Sequence, residues 1–232
     1  MNFFEQHFTA ETLQEGQVIL IDKPLGWTSF QVVNKIRWHF KKSLGLNKLK
    51  IGHAGTLDPL ATGLLLLCTG KKTKSIAELQ EGEKEYTGTF TLGGTTPSYD
   101  LETTVDHTFP FEHLSPNQLY NATAQFTGEI MQQPPLFSAL KKEGKRLYEF
   151  ARIGTSIEVP SRKVKVSTFE LTQIALPNVT FLVRCGKGTY IRSLAHDFGK
   201  AVQSGAHLSS LRRTQSGEFR VEKAYTLESV LN

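Results

Sequence analysis

Hydrophobic and polar positions follow two different periods along the chain, and these periods predict where strands and helices lie. Residues 64–68 are continuously apolar, which is typical of a strand that is buried on both faces. Residues 86–92 and 179–185 instead alternate between apolar and polar side chains, as a strand with one buried face does. We therefore predict strands at these three places and a further strand over residues 17–21.

Three helices are predicted from apolar residues that recur at helical spacing behind a capping residue. Thr28 or Ser29 can cap the first helix, which carries basic side chains on its polar face. The Ser-Pro pair at 115–116 is a good start for the second helix, and Gly128 can end it. Thr189 can cap the third helix. The apolar stripe of this third helix consists of Ile191, Leu194, Ala195, Phe198 and Val202.

The order of these elements predicts an α+β domain, in which helices pack on a mixed, largely antiparallel sheet. Neither a linker rich in Ser, Gly and Pro nor an internal repeat divides residues 17–232, so we assign them to one domain. Residues 1–16 precede this domain as a surface extension. Residues 131–154 contain Gln-Gln-Pro-Pro near their start and then become strongly basic. That composition predicts a loop or a short mobile helix outside the sheet.

Composition and cysteine spacing exclude several classes of protein. With 39% hydrophobic and 21% charged residues, the chain is expected to fold around a core rather than to be disordered. Its N-terminus does not resemble a signal peptide, and its longest leucine run is far shorter than the roughly 20 apolar residues that cross a bilayer. We expect a cytoplasmic protein. Cys68 and Cys185 lie in apolar segments without zinc-site spacing, which predicts buried thiols.

Basic residues are concentrated in two segments. Residues 30–50 contain six Lys or Arg and no acid, and residues 141–165 contain eight Lys or Arg against three Glu. Since the net charge of the chain is only +5, the remainder is acidic on balance. This distribution favours a polyanion such as RNA that runs across one face. A solvated helix face explains either segment about as well.

The strongest candidate for chemistry is Asp58, within the run Gly-His-Ala-Gly-Thr-Leu-Asp-Pro-Leu-Ala-Thr-Gly at 52–63. A carboxylate beside a buried apolar strand is costly to desolvate unless it has a partner. An Asp-Pro pair is also a common turn, because Pro59 disfavours a helical conformation at Asp58. The dipeptide by itself therefore predicts only a turn.

The complete run resembles the catalytic motif of the bacterial tRNA pseudouridine synthases of the TruB type. Four other stretches resemble motifs of that family and occur in the family's order. They are Leu-Ile-Asp-Lys-Pro-Leu-Gly-Trp-Thr-Ser at 20–29, Lys-Glu-Tyr at 84–86, Gly-Thr-Tyr-Ile-Arg-Ser-Leu at 188–194 and Leu-Arg-Arg-Thr at 211–214. The resemblance implies a pseudouridine synthase fold, in which residues 131–154 form a thumb that closes on RNA. Many members have a C-terminal PUA domain, and we expect none in this chain.

By this resemblance, the chain isomerises uridine 55 in the T-arm loop of tRNA without a cofactor or a metal. Asp58 matches the indispensable aspartate of the family, which either attacks the substrate or removes a proton from the ribose, and both possibilities stay open. Arg192 matches the active-site arginine, and Asp100 matches an acid paired with it, so an Asp-Arg-Asp network is expected. Tyr86 matches the residue that stacks on the target base, and its hydroxyl could take part in proton removal from C5.

The same resemblance assigns further contacts with the substrate. His53 helps to hold the RNA loop open, and Lys23 belongs to the Lys-Pro motif at the substrate site. Leu211 packs under the base, although an ordinary core position explains this leucine nearly as well. The target uridine must be flipped out of its stack before it can react. The expected contacts with the RNA backbone are the thumb residues Lys141, Lys142, Lys145, Arg146 and Arg152. We expect a monomer that binds tRNA and needs neither a membrane nor an obligate protein partner.

Two other functions fit parts of this pattern. An RNA-binding folding assistant, or tRNA chaperone, needs only the basic surface and a pocket for a flipped base, and the Asp58→Asn variant would separate it from an enzyme. An aspartyl-phosphate enzyme fits less well, because the residues around Asp58 lack the second acid that would hold a magnesium ion.

Overall fold

The computed structural model describes residues 8–142, 144–153 and 157–231. Residues 1–7 of the predicted extension, and residues 143 and 154 of the predicted thumb, lie outside the described residues. The helices are α1 Ala10–Glu15, α2 Ser29–Ser43, α3 Ile76–Leu79, α4 Pro116–Thr123, α5 Leu147–Arg152, α6 Ile191–Ala201 and α7 Leu227–Leu231. The strands are β1 Val18–Lys23, β2 Ile51–Ala54, β3 Ala61–Thr69, β4 Lys84–Leu92, β5 Gly94–Thr95, β6 His107–Thr108, β7 Gly128–Gln132, β8 Lys141–Lys142, β9 Lys145–Arg146, β10 Arg162–Ala175, β11 Asn178–Cys185, β12 Ala206–Ser216, β13 Phe219–Arg220 and β14 Tyr225–Thr226.

The chain divides into two compact units. The first unit contains the residues up to Tyr86 and those from Leu211 onwards, and the second contains residues 87–210. Strands β4 and β12 each contribute residues to both units. The assignment of residues 17–232 to one domain stays a prediction.

The first unit is built around the apolar strand β3. Strands β1 and β2 pair with β3 in antiparallel fashion, whereas β12 pairs with it in parallel through Leu211 and Ala61. Residues 64–68 are fully buried, which confirms the prediction of a strand covered on both faces. Helix α2 packs its apolar residues, including Ile36 and Phe40, into the same core.

The second unit has a largely antiparallel sheet and an aromatic core. Strand β10 pairs in antiparallel fashion with β11 on one side and β7 on the other. Phe90 and Phe181 lie with ring centroids 4.2 Å apart, and Phe198 of helix α6 contacts Phe90 at 5.9 Å. This buried cluster fixes α6 on one face of the sheet. Together the elements confirm the predicted α+β class.

Two of the three predicted helix caps are confirmed and one is wrong. The hydroxyls of Thr28 and Ser115 both accept a hydrogen bond from the third helical backbone N–H, as predicted. Helix α6, however, begins at Ile191, because the Thr189 hydroxyl donates to the Gly186 carbonyl instead of capping the helix.

The capping position of α6 is occupied by Tyr190, and its backbone is held by a residue distant in sequence. The Tyr190 N–H donates to the Gln132 side-chain oxygen at 2.8 Å, and the Gln132 amide nitrogen donates back to the Tyr190 carbonyl at 3.1 Å. The second helix also ends earlier than predicted, since α4 stops at Thr123 and a 3₁₀ turn at Ala124–Phe126 follows it.

The basic segment after β7 has its own small architecture. Strands β8 and β9 pair only with each other among the described residues, and α5 follows them directly. A loop or a short mobile helix outside the sheet was predicted for residues 131–154. Helix α5 agrees with the second alternative, whereas Met131 and Gln132 belong to β7 of the large sheet. No helix among residues 8–142, 144–153 and 157–231 is long and apolar enough to span a lipid bilayer.

Candidate active site

Asp58 lies in the loop between β2 and β3, at residues 55–60, which we call the Asp58 loop. Its side chain is half-buried, and its backbone carbonyl accepts a hydrogen bond from the Ala61 N–H at 3.1 Å. The Asp-Pro pair therefore does form a turn. Its carboxylate also has an electrostatic partner, because the ammonium of Lys23 interacts with it.

Lys23 ends strand β1 with its side chain fully buried. Its ammonium donates to the carbonyls of Trp27 at 2.6 Å, Pro24 at 3.0 Å and Pro59 at 3.4 Å. Burial lowers the pKa of Lys23 from 10.5 to about 8, the charge of Asp58 opposes this change, and that of Arg213 adds to it. An ammonium has three N–H groups, and Lys23 directs all three at the turn before α2 and at the Asp58 loop.

Arg213, for which the sequence predicted no role, also holds the loop. Only 1% of this residue is exposed. Its guanidinium donates to the Leu64 carbonyl at 2.7 Å and to the Gly55 carbonyl at 2.9 Å. Gly55 has φ +84°, and a Cβ there would lie 3.2 Å from the Arg213 guanidinium. A side chain at this position would thus strain the backbone and crowd the arginine.

The start of helix α2 provides a third attachment. The Ser29 hydroxyl donates to the Leu57 carbonyl at 3.0 Å and accepts from the Leu57 N–H at 2.9 Å. Because Ser29 is buried and Leu57 immediately precedes Asp58, this pair of bonds fixes the backbone on the N-terminal side of the carboxylate. The Gly26 N–H donates to the Pro59 carbonyl at 2.9 Å and fixes the other side.

An ion pair joins the two strands that carry Lys23 and Arg213. Asp22 accepts from both terminal nitrogens of Arg212, at 3.0 and 2.6 Å, in the two-pronged geometry that arginine favours with a carboxylate. These residues directly precede Lys23 on β1 and Arg213 on β12. The pair therefore fixes the strands from which both buried cations reach the Asp58 loop.

His53, Tyr86 and Leu211 lie in the same unit as Asp58. His53 lies on β2, which leads into the Asp58 loop, and its Nε2 lies 3.1 Å from the Thr56 hydroxyl. Burial, followed by the charge of Arg213, lowers the pKa of His53, which favours the neutral form of its ring. Tyr86 on β4 and Leu211 on β12 are half-buried, which leaves part of each side chain accessible.

Arg192 and Asp100 come together in the second unit. Arg192 is 3% exposed, and its Nε lies 3.6 Å from a carboxylate oxygen of Asp100. Its two terminal nitrogens donate to the Ser98 carbonyl at 3.1 Å and to the Phe137 carbonyl at 2.9 Å. The structure thus places the expected acid beside the expected arginine, and the pairing of Asp58 with Arg192 stays a prediction.

The turn that carries Asp100 is held by several hydrogen bonds and one ring stack. The Thr96 and Ser98 hydroxyls both donate to the Asp100 carbonyl, at 2.7 and 3.1 Å. Tyr99 adopts a left-handed backbone with φ +64°, and its ring stacks on His196 of α6 at 4.0 Å. Burial lowers the pKa of His196 to about 4, so a neutral ring stacks there at pH 7.

The five basic residues expected to bind the RNA backbone all lie on the β8–β9 hairpin and α5. Lys142 is half-buried and the other four are exposed: Lys141, Lys145, Arg146 and Arg152. The Lys142 ammonium donates to the Glu158 carbonyl at 2.5 Å, and the Arg152 guanidinium lies 5.2 Å from the centre of the Tyr148 ring. The hairpin thus presents Lys141, Lys145 and Arg146 to solvent.

The chain has two cysteines, at positions 68 and 185. Cys68 and Cys185 are both buried free thiols, as predicted. Burial raises the pKa of the Cys68 thiol, which disfavours its reactive thiolate form. Within the part of the chain that the structure describes, no three His, Cys, Asp or Glu side chains are grouped so that they could hold a metal ion.

The lowered pKa of Lys23 predicts a pH-dependent stability. Between pH 8 and 10.5 the unfolded chain binds a proton at this residue that the folded chain does not, so this residue makes folding more favourable as the pH rises. At about 1.4 kcal/mol per pH unit, the unfolding free energy of the parent relative to Lys23→Met should increase by about 2 kcal/mol from pH 7 to pH 10. Denaturant titrations at the two pH values measure this difference. A difference that does not change with pH would contradict the buried ammonium.

Comparison with known proteins places this arrangement in a family. Residues 41–191 match the model of the TruB family pseudouridylate synthase N-terminal domain, and residues 192–232 match that of the tRNA pseudouridylate synthase B C-terminal domain. The curated tRNA pseudouridine synthase B of Flavobacterium johnsoniae is 62% identical over 217 residues, which cover 93% of this chain and 95% of that protein. Its counterpart from Phocaeicola vulgatus is 51% identical and covers 93% of this chain and 92% of that protein.

Solved structures agree with these matches. A chain in the crystal structure of a Cbf5–Nop10–Gar1 complex is 34% identical, with a TM-score of 0.70 over 98% of this chain. A chain in the archaeal box H/ACA sRNP Nop10–Cbf5 complex is 30% identical, with a TM-score of 0.67 over 94% of this chain. The present chain spans only 57% and 53% of those two chains. By its family models, its relatives and its fold, the chain belongs to the TruB family of pseudouridylate synthases and is an isomerase of that family.

Proposed function

We propose that this protein converts uridine 55 in the T-arm loop of tRNA to pseudouridine, with Asp58 as the group that acts on the substrate. The main support for this proposal is the way in which the Asp58 loop is fixed to the rest of the protein. The loop is attached to the protein by Lys23, Ser29 and Arg213, which hold one half-buried carboxylate in place opposite a buried ammonium. Such preorganisation is what a catalytic carboxylate needs, because the group must already be held in position when it meets the substrate.

The reaction matches the groups that the site offers. The bond between N1 of the base and C1′ of the ribose breaks, the base turns, and a bond forms between C5 and C1′. C5 then loses its proton and N1 gains one, so the composition of the nucleoside does not change. Oxidation states balance and no group leaves, so no cofactor is needed. An ionised Asp58 can attack the substrate as a nucleophile or remove a proton from the ribose as a base, and the loop supports either role.

Tyr86, Arg192 and Asp100 have supporting roles in this proposal. The half-buried ring of Tyr86 would stack on the target base. Its hydroxyl would then take part in the later removal of the C5 proton. Arg192 is held rigid by the Ser98 and Phe137 carbonyls and by the nearby Asp100, so it is preorganised to bind an anion. We propose that Arg192 stabilises the charge of Asp58 during the reaction.

Recognition of tRNA requires a flipped uridine and contacts with phosphates. Turning the base out of its stack costs a few kcal/mol, which stacking and polar contacts in the pocket offset. His53 and Leu211 would contact the opened loop from the strands that adjoin the Asp58 loop. The thumb cations would then bind backbone phosphates without reading sequence.

The thumb contribution predicts a change in salt dependence. Neutralising Lys141, Lys142 and Lys145 together to glutamine should weaken tRNA binding and flatten the plot of log K against log salt. Each lost phosphate contact should remove about 0.7 to 0.9 from the slope. Affinities measured across a salt series, with single-turnover rates at saturating enzyme, separate binding from chemistry.

Lys163→Gln provides a matched control for this experiment. The Lys163 ammonium lies 2.7 Å from Glu129 and is thus already paired within the protein, so its loss should leave the slope unchanged. An unchanged slope in the triple variant would mean that the thumb lysines are only a solvated surface.

Incubation with an unmodified T-arm stem-loop, followed by position-resolved mapping of pseudouridine, tests the proposed function. The expected product is a single pseudouridine at the uridine of the T-arm loop that corresponds to position 55. Conversion at another position would overturn the proposed specificity. Tight binding without conversion would instead favour the RNA-folding alternative.

A further inference from the structure

Helix α2 exposes two large aromatic side chains. Phe30 is 64% exposed and Trp38 is 58% exposed, although both belong to residue types that usually contribute to a core. Trp38 lies two positions from both Ile36 and Phe40, which are buried. At 100° per residue, Trp38 therefore points away from the core and occupies the middle of the solvent face.

The surroundings of Trp38 are strongly cationic. The ammonium groups of Lys35 and Lys42 lie 5.8 and 5.1 Å from the centre of the Trp38 ring. Both lysines are exposed, and residues 30–50 contain no acid. A protein-binding hot spot is usually depleted in lysine, whereas an aromatic ring between cations is the composition that binds single-stranded RNA.

The position of the helix connects this ring to the Asp58 loop. Ser29, the first residue of α2, is hydrogen-bonded to Leu57, so the start of the helix is fixed beside the loop. Phe30 follows directly, and Trp38 lies eight residues further, or about 12 Å along the helix axis. An RNA strand that leaves the site over α2 would thus meet Phe30 first and Trp38 next.

We infer that Trp38 is a stacking site for an unpaired base of the tRNA substrate, with Lys35 and Lys42 binding the phosphates beside that base. This inference rests on the proposed function, because the proposal supplies RNA as the substrate. When RNA binds, we expect the Trp38 ring to exchange its contacts with the two lysines for a stacked base, because the base contributes the larger interaction energy. An exposed cation over an aromatic ring contributes about 0.5 to 1 kcal/mol, and a base stacked on such a ring contributes about 1 to 3 kcal/mol.

Fluorescence of Trp38 provides a direct test. The chain has two tryptophans, so Trp27→Phe leaves Trp38 as the sole one. Asp58→Asn is added to prevent turnover, and an unmodified tRNA transcript is the probe. The emission should be quenched as the transcript binds, with a midpoint equal to the Kd from an independent binding assay. An emission that does not change at saturating transcript would overturn the inference.

Affinity provides a second test, which does not depend on the Trp27 substitution. Trp38→Ala should weaken binding of the transcript about tenfold, whereas Trp38→Phe should retain most of the affinity because it keeps an aromatic ring. Tyr120→Ala is the matched control, since Tyr120 is 49% exposed on α4 and no cation-π contact of this ring is found among the described residues. Equal affinities of Trp38→Ala and the parent would overturn the inference.

The two proposals fail in different ways. Conversion of the T-arm uridine by saturating Trp38→Ala should proceed at the parental rate, because Trp38 is outside the reacting groups. If the fluorescence of the Trp27→Phe, Asp58→Asn protein is quenched by the transcript but the parent binds the transcript without converting it, the stacking site is supported and the proposed function fails. If the parent converts the uridine but Trp38→Ala binds as tightly as the parent, the proposed function stands and the stacking site fails.

Discussion

Asp58→Asn should lower the single-turnover rate of pseudouridine formation by at least about a hundredfold, with tRNA affinity unchanged within about twofold. The amide has nearly the same shape as the carboxylate, but it is neither a nucleophile nor a base. The backbone contacts of the loop with Lys23, Ser29 and Arg213 do not involve the substituted side chain, so the loop should keep its conformation. Rates at saturating enzyme, together with Kd values, measure the two quantities separately.

Asp106→Asn is the control for this substitution. Asp106 is a carboxylate of the second unit that hydrogen-bonds the Thr95 hydroxyl at 2.7 Å, and it has no place in the proposed site. It should retain the parental rate. Residual activity of Asp58→Asn above about one per cent of the parent would contradict a direct chemical role for Asp58.

Arg192→Lys should lower the rate by about ten- to a hundredfold. A lysine has one nitrogen, whereas the Arg192 guanidinium donates to the Ser98 and Phe137 carbonyls and faces Asp100 at once. A lysine would leave at least one of these buried acceptors without a donor, at a cost of about 1 to 3 kcal/mol. We expect the loss in the rate of the bound complex rather than in affinity, and single-turnover kinetics distinguish the two.

Arg152→Lys offers a comparison in the same unit. Arg152 is exposed and lies 3.6 Å from Glu102, so its guanidinium contributes little that a lysine could not replace. This variant should keep the parental rate of the bound complex. Full activity in Arg192→Lys would mean that Arg192 has only a structural role.

The sequence correctly predicted those elements of the fold that depend mainly on residues close together in the chain. The apolar run at 64–68 predicted a buried strand, and the capping boxes at Thr28 and Ser115 form within three residues of each cap. Resemblance to a family brought Asp100 and Arg192 into one hypothesis, and the structure places them 3.6 Å apart although they are 92 positions apart in sequence. Neither periodicity nor spacing could have paired them.

Long-range contacts account for what the sequence did not reveal. Arg213 was not predicted as a site residue because its acceptors, the carbonyls of Gly55 and Leu64, lie about 150 residues away in the chain. Neighbouring side chains of a strand point to opposite faces, so the adjacent Arg212 and Arg213 of β12 have different surroundings, and Arg213 is the buried one. The Thr189 cap was wrong for a related reason, since the helix begins at Ile191 and Gln132 on β7, distant in sequence, fixes the backbone of the capping residue Tyr190.

Release of tritium from a T-arm stem-loop that carries [5-³H]uridine tests the central claim most directly. The C5 hydrogen of the target base is lost only when the new bond between C5 and C1′ forms. The parent protein should release one tritium per RNA, Asp58→Asn should release none, and an RNA with cytidine in place of the target uridine should release none with either protein. Release by Asp58→Asn above about one per cent of the parental rate, or no release by a parent that binds the RNA, would contradict an isomerisation that depends on Asp58.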